Sequence, residues 1–518
     1  MGLGEAAPVS STTEPVPGRR DVRLIAGLAG LALLAFAIRF VGLAFNGGLD
    51  SRINLDDGTY FAGAIAFVNG RIPYRDFSLL HPPGLLYVMT PFAQIGTMTT
   101  EVTGLVLARL AFMVLGAVNT ALVGLVGARV SRTTGLAAAA LYAVWVLTIA
   151  GERSTLLIAP QVTAMLVALL ALTGRPAAEL TTRRVAVAGI AIGVTGAVQI
   201  WAAIPAIVIL GWLVLQTRAR SAQAVRVAAT FVLTGAATAA LLLVPMLVVA
   251  GPRMLQMILF AQATRIHGLT TNPVSRLRYI EGMDSIPLGI HVPGAAVALL
   301  AAAATGLVLY VAWKVPAVRL WAAIAASQVA VILVMPLFLS HYRGWPAPLM
   351  ALCLGAVAAY GIERLPAPRR MLGVAAYAVV LVLLATTSLI TPGGHRLPLL
   401  AELSDQSTAR CVISDEGYVA IRTNTLVRSL QNGCRVVPNP RSYAQLYNAL
   451  DEGPSLAKTK QDDYQQGSIE YFTSADVVLL SQLRHDGLTD ETMAAIRAEL
   501  PYARWIGKIL ELRRTPRP

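Results

Sequence analysis

The sequence predicts a polytopic α-helical membrane protein with about eleven transmembrane helices and a small α/β extracytoplasmic C-terminal domain. Three observations carry this. The 518 residues are 56% hydrophobic and only 14% charged, against about 25% charged in soluble domains, and the mean hydropathy is +0.63. Apolar runs of about 18 residues or more recur, each long enough to cross a hydrocarbon layer of roughly 30 Å. Beyond residue 391 the runs shorten and charge density rises. The net charge of +14 does not indicate nucleic acid. No basic patch with interleaved aromatics appears, and the arginines sit mostly in short loops, where they set topology.

Residues 1–21 read as a polar cytoplasmic tail ending in Arg19-Arg20. The run from 22 to 45 is too long for a signal-peptide core and reads as a signal anchor. It ends outside, so 46–103 form an outer loop. Within it, 83–98 is apolar but short and follows Pro82-Pro83, which suggests an interfacial or re-entrant helix. Spans follow at 104–128, 133–151 and 154–173, with Glu152-Arg153 at the outer tip of the hairpin. The run 185–216 has basic clusters at both ends, so both ends belong inside. Two short helices turning near Gln199-Ile200-Trp201 satisfy that. A span at 225–250, an outer loop at 251–292 and spans at 294–313, 317–339, 345–362 and 370–391 complete the transmembrane region 22–391. No ionisable residue is read as lying deep in a span.

Residues 392–518 form the C-terminal domain. Cys411 to Ser414, Cys434 to Val437 and Ala475 to Leu480 look like buried strands, alternating with helices at Ser442–Leu450 and Thr489–Leu500. No phosphate-binding glycine loop is present. Cys411 and Cys434 could pair on an oxidising face, or remain two buried thiols. Cys353 lies within a span and reads as packing.

The polar residues that membrane burial does not explain map to one face: Asp56, Asp57, Asp76, His81, Glu152, Arg153, Arg265, His267, His341 and Arg343. Far apart in sequence, they share one layer, which argues for a site. A carboxylate there can take a proton from an attacking hydroxyl. Arginine forks suit a phosphate, and histidine adds a donor. Base, hydroxyl and phosphate leaving group together describe glycosyl transfer from a lipid phosphate sugar. Asp56-Asp57 also suit a helix N-terminus, where acids favour the dipole.

The pattern resembles the GT-C glycosyltransferases. These membrane enzymes use polyprenyl- or dolichyl-phosphate sugars and include protein O-mannosyltransferases, aminoarabinose transferases and actinobacterial mannosyl- and arabinosyltransferases. The resemblance rests on Asp56-Asp57 in the first outer loop, Pro82-Pro83 with its apolar run, Arg109, the Gly193-Val194-Thr195-Gly196 run and the tip His341-Tyr342-Arg343-Gly344-Trp345-Pro346. It implies Asp56 or Asp57 as an inverting base and a polyprenyl-phosphate-linked monosaccharide as donor. The acceptor would be an envelope glycan, lipid or protein. It implies no nucleotide sugar, no certain cofactor and a divalent metal as an option, with ligands unassigned. Related enzymes often carry lysine before Pro-Pro, near the donor phosphate. Here it is His81, which leaves Arg265 or Arg343 to supply that contact. His267, His341, Glu152 and Arg153 complete the expected phosphate-side set.

Two other readings compete. A lipid-linked glycan translocase would carry broken helices and repeated halves. A non-catalytic scaffold would make the acid pair dispensable.

Overall fold

The computed structural model describes residues 22–174, 179–261, 276–277, 294–335, 338–391, 394, 409–443, 460–481 and 487–516. The chain opens with α1 (Val22–Ala44), followed by α2 (Leu55–Val68), α3 (Gly84–Met98) and α4 (Glu101–Gly127). Asn54 caps α2, its side chain accepting from the Asp57 N–H at 2.9 Å. That satisfies a backbone donor the helix start leaves open. Thr100 does the same for α4 through Thr103 at 3.2 Å. The short apolar segment after Pro82-Pro83 is the 15-residue helix α3.

Next come α5 (Arg132–Val144) and α6 (Val146–Glu152), which meet at Trp145 with a 61° bend. Then follow α7 (Ile158–Leu172), α8 (Thr182–Val198), α9 (Ala203–Thr217) and α10 (Ser221–Ala250). The helix breaks at Gln199, whose backbone is extended, and resumes after a single 3-10 turn. The long apolar run is therefore two helices. α8 lies flush on α10 because it carries Gly189 and Gly193. A Cβ at either would come within 2.5 Å of a backbone oxygen of α10, so only glycine allows this approach. Four more long helices follow, at Gly294–Lys314, Arg319–Val334, Ala347–Arg364 and Ala367–Ile390.

Among the described residues, eight helices are long and apolar enough to cross a membrane, or nine if the bent α5–α6 pair is one span. The sequence reading expects eleven. Its other two segments are the shorter helices α7 and α8.

The C-terminal region is a small α/β domain. Its strands β1 (Val412–Ser414), β2 (Val477–Leu480), β3 (Tyr502–Ile506) and β4 (Ile509–Arg513) lie in the order β1-β2-β4-β3. β1 and β2 are parallel, while β4 runs antiparallel to β2 and β3. Cys411 and Cys434 form a disulfide. The expected strand at Cys434–Val437 is absent. Its backbone donors go elsewhere, Cys434 N to Ser429 O at 3.0 Å and Val437 N to the Tyr471 hydroxyl at 3.2 Å. The β3–β4 hairpin was not expected. Of the helix expected at Ser442–Leu450, residues 444–450 lie outside the described residues.

This domain sits on α2. Helix Gly417–Arg422 crosses α2 at Gly58, where a Cβ would lie 2.4 Å from Tyr418 Cβ. Tyr418 donates to Asp50 O at 2.6 Å, Arg52 pairs with Glu416 at 2.6 Å, and Arg422 pairs with Asp50. Glu101, which starts α4, accepts from Val427 N at 2.7 Å. The helix that begins with the acid pair is thus held by both parts of the molecule.

Candidate active site

The two adjacent aspartates have opposite surroundings. Asp57 is fully buried. One carboxylate oxygen pairs with the Arg109 guanidinium of α4, which also donates to Leu49 O at 2.6 Å. The other oxygen accepts from Thr155 N at 2.7 Å and Thr155 Oγ1 at 2.8 Å. Asp56 is partly open, its side chain 22% exposed, and Oδ2 lies 3.8 Å from His341 Nε2. Asp57 is thus closed off by a buried guanidinium and two further donors, while Asp56 stays partly open to a reacting group.

His341 and Arg343 share one turn, Ser340–Gly344, packed against α6. Gly344 permits this: a Cβ there would lie 3.1 Å from Ile158 and 3.2 Å from Leu147 O. Arg343 is buried and acts on Arg153, which is also buried. Burial first, and the neighbouring Arg343 charge second, lower Arg153 to about 10. It still carries its proton at neutral pH.

Tyr60, one turn along α2 from Asp56 and on the same face, meets the His81 ring edge-on at 5.8 Å. His81 O accepts from the Tyr74 hydroxyl at 2.7 Å. Behind the turn, Trp201 at the α8–α9 break packs against Tyr342 and Trp345, with centroids 4.6 and 5.3 Å apart.

Glu152 departs from the sequence grouping. Its carboxylate points into the helix bundle, where it accepts from Arg39 Nε at 3.1 Å, Asn119 Nδ2 at 2.7 Å and the Tyr142 hydroxyl at 2.6 Å. All four side chains are buried. An oxygen pair so occupied, and negative itself, offers nothing to a phosphate. Arg39 also corrects the reading that spans lack buried ions: it lies within α1, fully buried. Asp76 pairs with Arg75 at 2.9 Å and accepts from Ile72 N at 2.7 Å, which makes it a turn residue. Arg265 and His267 lie outside the described residues. Arg276, from the same loop, donates to the carbonyls of Ile332 at 3.0 Å and Met335 at 2.6 Å. It thereby caps the helix Arg319–Val334.

No family model matches this chain, and no curated protein matches it. Solved structures do. The chain is similar to ArnT from Cupriavidus metallidurans in the apo state, with TM-score 0.59 and 13% identity over 95% of this chain and 98% of that one. The same protein bound to undecaprenyl phosphate gives TM-score 0.55 at 14% identity, over 96% and 99% of the two chains. The chain shares its fold with these ArnT structures, as the resemblance read from the sequence led us to expect. The Archaeoglobus fulgidus oligosaccharyltransferase in complex with Zn and sulfate also matches, with TM-score 0.55 and 14% identity over 92% of this chain and 71% of that one. A chain of the S. cerevisiae Pmt1-Pmt2 complex aligns at TM-score 0.38 and 19% identity over 45% of this chain, which spans about a third of that one's length.

Of the residues singled out from the sequence, the structure brings Asp56 and His341 together, and Arg153 and Arg343. Sequence reasoning missed Thr155, Arg39, Asn119 and Tyr142. The signal for Arg39 was available: an arginine inside an apolar run needs a partner. Thr155 carried no such signal. Among the described residues no group of three or more His, Cys, Asp or Glu side chains is placed to hold a metal.

Proposed function

We propose that this chain is a membrane glycosyltransferase that moves one sugar from a polyprenyl phosphate to an acceptor hydroxyl, inverting the anomeric carbon, with Asp56 as base. The observation that carries it is the turn Ser340–Gly344, which sets His341 beside Asp56 and Arg343 beside Arg153. Asp56 takes the acceptor proton. The acceptor oxygen attacks the anomeric carbon from the face opposite the phosphate. The bond to the phosphate oxygen breaks and its electron pair stays on the phosphate. Arg153 and Arg343 stabilise that leaving charge, so no general acid is required. His341 keeps the Asp56 carboxylate oriented, and His81 lines the site beside Tyr60.

The lipid tail would lie between helices, with the phosphate sugar at the outer interface. The C-terminal domain would be extracytoplasmic, the N-terminus cytoplasmic and the location the cell membrane. The Cys411–Cys434 disulfide supports that sidedness, since disulfides persist on oxidising faces. The acceptor would be a glycan, lipid or protein of the envelope. The likeness to ArnT bound to undecaprenyl phosphate supports a polyprenyl phosphate carrier.

The test is Asp56→Asn in membranes supplied with labelled sugars on undecaprenyl and decaprenyl phosphate. Transfer should fall by roughly 10² to 10⁴, the usual worth of a general base, at normal protein level. Wild-type transfer by Asp56→Asn would remove the base assignment. No transfer by wild-type membranes with any donor would remove the reading.

A further inference from the structure

The geometry points to Asp57 and Thr155 as a positioning pair that sets the distance between the base and the phosphate-binding arginine, an inference that rests on the reading of Asp56 just given. Asp57 directly follows Asp56, and Thr155 lies two residues after Arg153. Thr155 Oγ1 donates to Asp57 Oδ1 at 2.8 Å and lies 3.0 Å from Asp57 O, while Thr155 N donates to Oδ1 at 2.7 Å. Both residues are fully buried. The far side of each segment is anchored as well, Asp57 by Arg109 and residue 152 by Arg39, Asn119 and Tyr142.

Across the site, one five-residue turn supplies both opposing groups, His341 to Asp56 and Arg343 to Arg153. The segments 56–57 and 153–155 are therefore tied at one point and face a common wall. In-line displacement depends on the separation of base and leaving phosphate. A misplacement of about 1 Å can cost about 10² in rate. Neither residue of the tie touches the reacting atoms in this scheme.

The test uses the full-length protein in nanodiscs. Thr155→Val keeps the shape, removes the hydroxyl bonds and leaves the backbone bond. Thr155→Ser keeps the hydroxyl, and Thr155→Ala serves if valine prevents folding. Turnover is measured with the labelled polyprenyl-phosphate sugars, and binding with undecaprenyl phosphate alone. Thr155→Val should lower kcat about 10- to 100-fold and leave donor KM and undecaprenyl phosphate affinity within about twofold. Thr155→Ser should restore kcat.

A general loss of structure would weaken binding together with turnover, and that result overturns the inference. So does a Thr155→Ser variant as slow as Thr155→Val. Asp56→Asn is run alongside. If it is inactive while Thr155→Val keeps wild-type kcat, the inference fails and the base assignment stands. If Asp56→Asn is fully active, or wild type transfers nothing, both fail.

Discussion

Glu152 and Arg153 are neighbours in the chain and belong to two different kinds of polar cluster. On the Glu152 side, a buried carboxylate meets a buried guanidinium, an amide and a phenol, and charge is balanced within the cluster. On the Arg153 side, the turn Ser340–Gly344 sets Arg343 beside Arg153 and His341 3.8 Å from the partly open Asp56. The same division separates Asp57, closed around Arg109 and Thr155, from Asp56. A balanced cluster in a low-dielectric interior holds helices together and has no capacity left for a ligand. A carboxylate left partly open to solvent, as Asp56 is, keeps room for one. Sidedness alone does not separate these surroundings; which carboxylate is closed by donors and which stays partly open does.

The comparison breaks most sharply on the closed side. Glu152→Gln leaves Arg39 as an uncompensated buried charge. It should destabilise the protein by about 3–5 kcal/mol, read as a lower unfolding temperature in detergent. An unchanged unfolding temperature would mean that the cluster is not the lock described here. Next in size is the double change Cys411→Ser with Cys434→Ser. The disulfide closes a separation of 23 residues, so loss of about 3 kcal/mol should appear as easier release of the C-terminal domain by protease. On the open side, Arg343→Gln should raise the donor KM about 10- to 100-fold, as for the loss of a charged hydrogen bond of roughly 1.5–3 kcal/mol, with the unfolding temperature held. Gly58→Ala should be the mildest. The added Cβ meets Tyr418, and overpacking of about 1–3 kcal/mol should loosen the domain from α2, visible as faster amide exchange in helix Gly417–Arg422.

Much of the fold was legible because hydropathy is a local signal. The break at Gln199 followed from basic residues at both ends of one apolar run, and α3 from Pro82-Pro83 before a short one. The bend at Trp145 had no such mark: neither glycine nor proline stands at the break, and α6 packs on the distant 340–344 turn. The β3–β4 hairpin was obscured by exposed positions from Tyr502 to Trp505. In the site, the acid pair was legible but not its division of labour. Asp57 meets Arg109 at a separation of 52 residues and Thr155 at 98, and Arg39 meets Glu152 at 113. Only tertiary structure brings such partners together.

The most direct measurement is the affinity of the purified protein for undecaprenyl phosphate in wild type, Asp56→Asn and the double change Arg153→Gln with Arg343→Gln. If charge balance assigns the roles, Asp56→Asn binds at least as tightly as wild type, having lost a negative group near the anion, and the double arginine variant loses at least tenfold. Weaker binding by Asp56→Asn together with wild-type binding by the arginine variant would contradict the account.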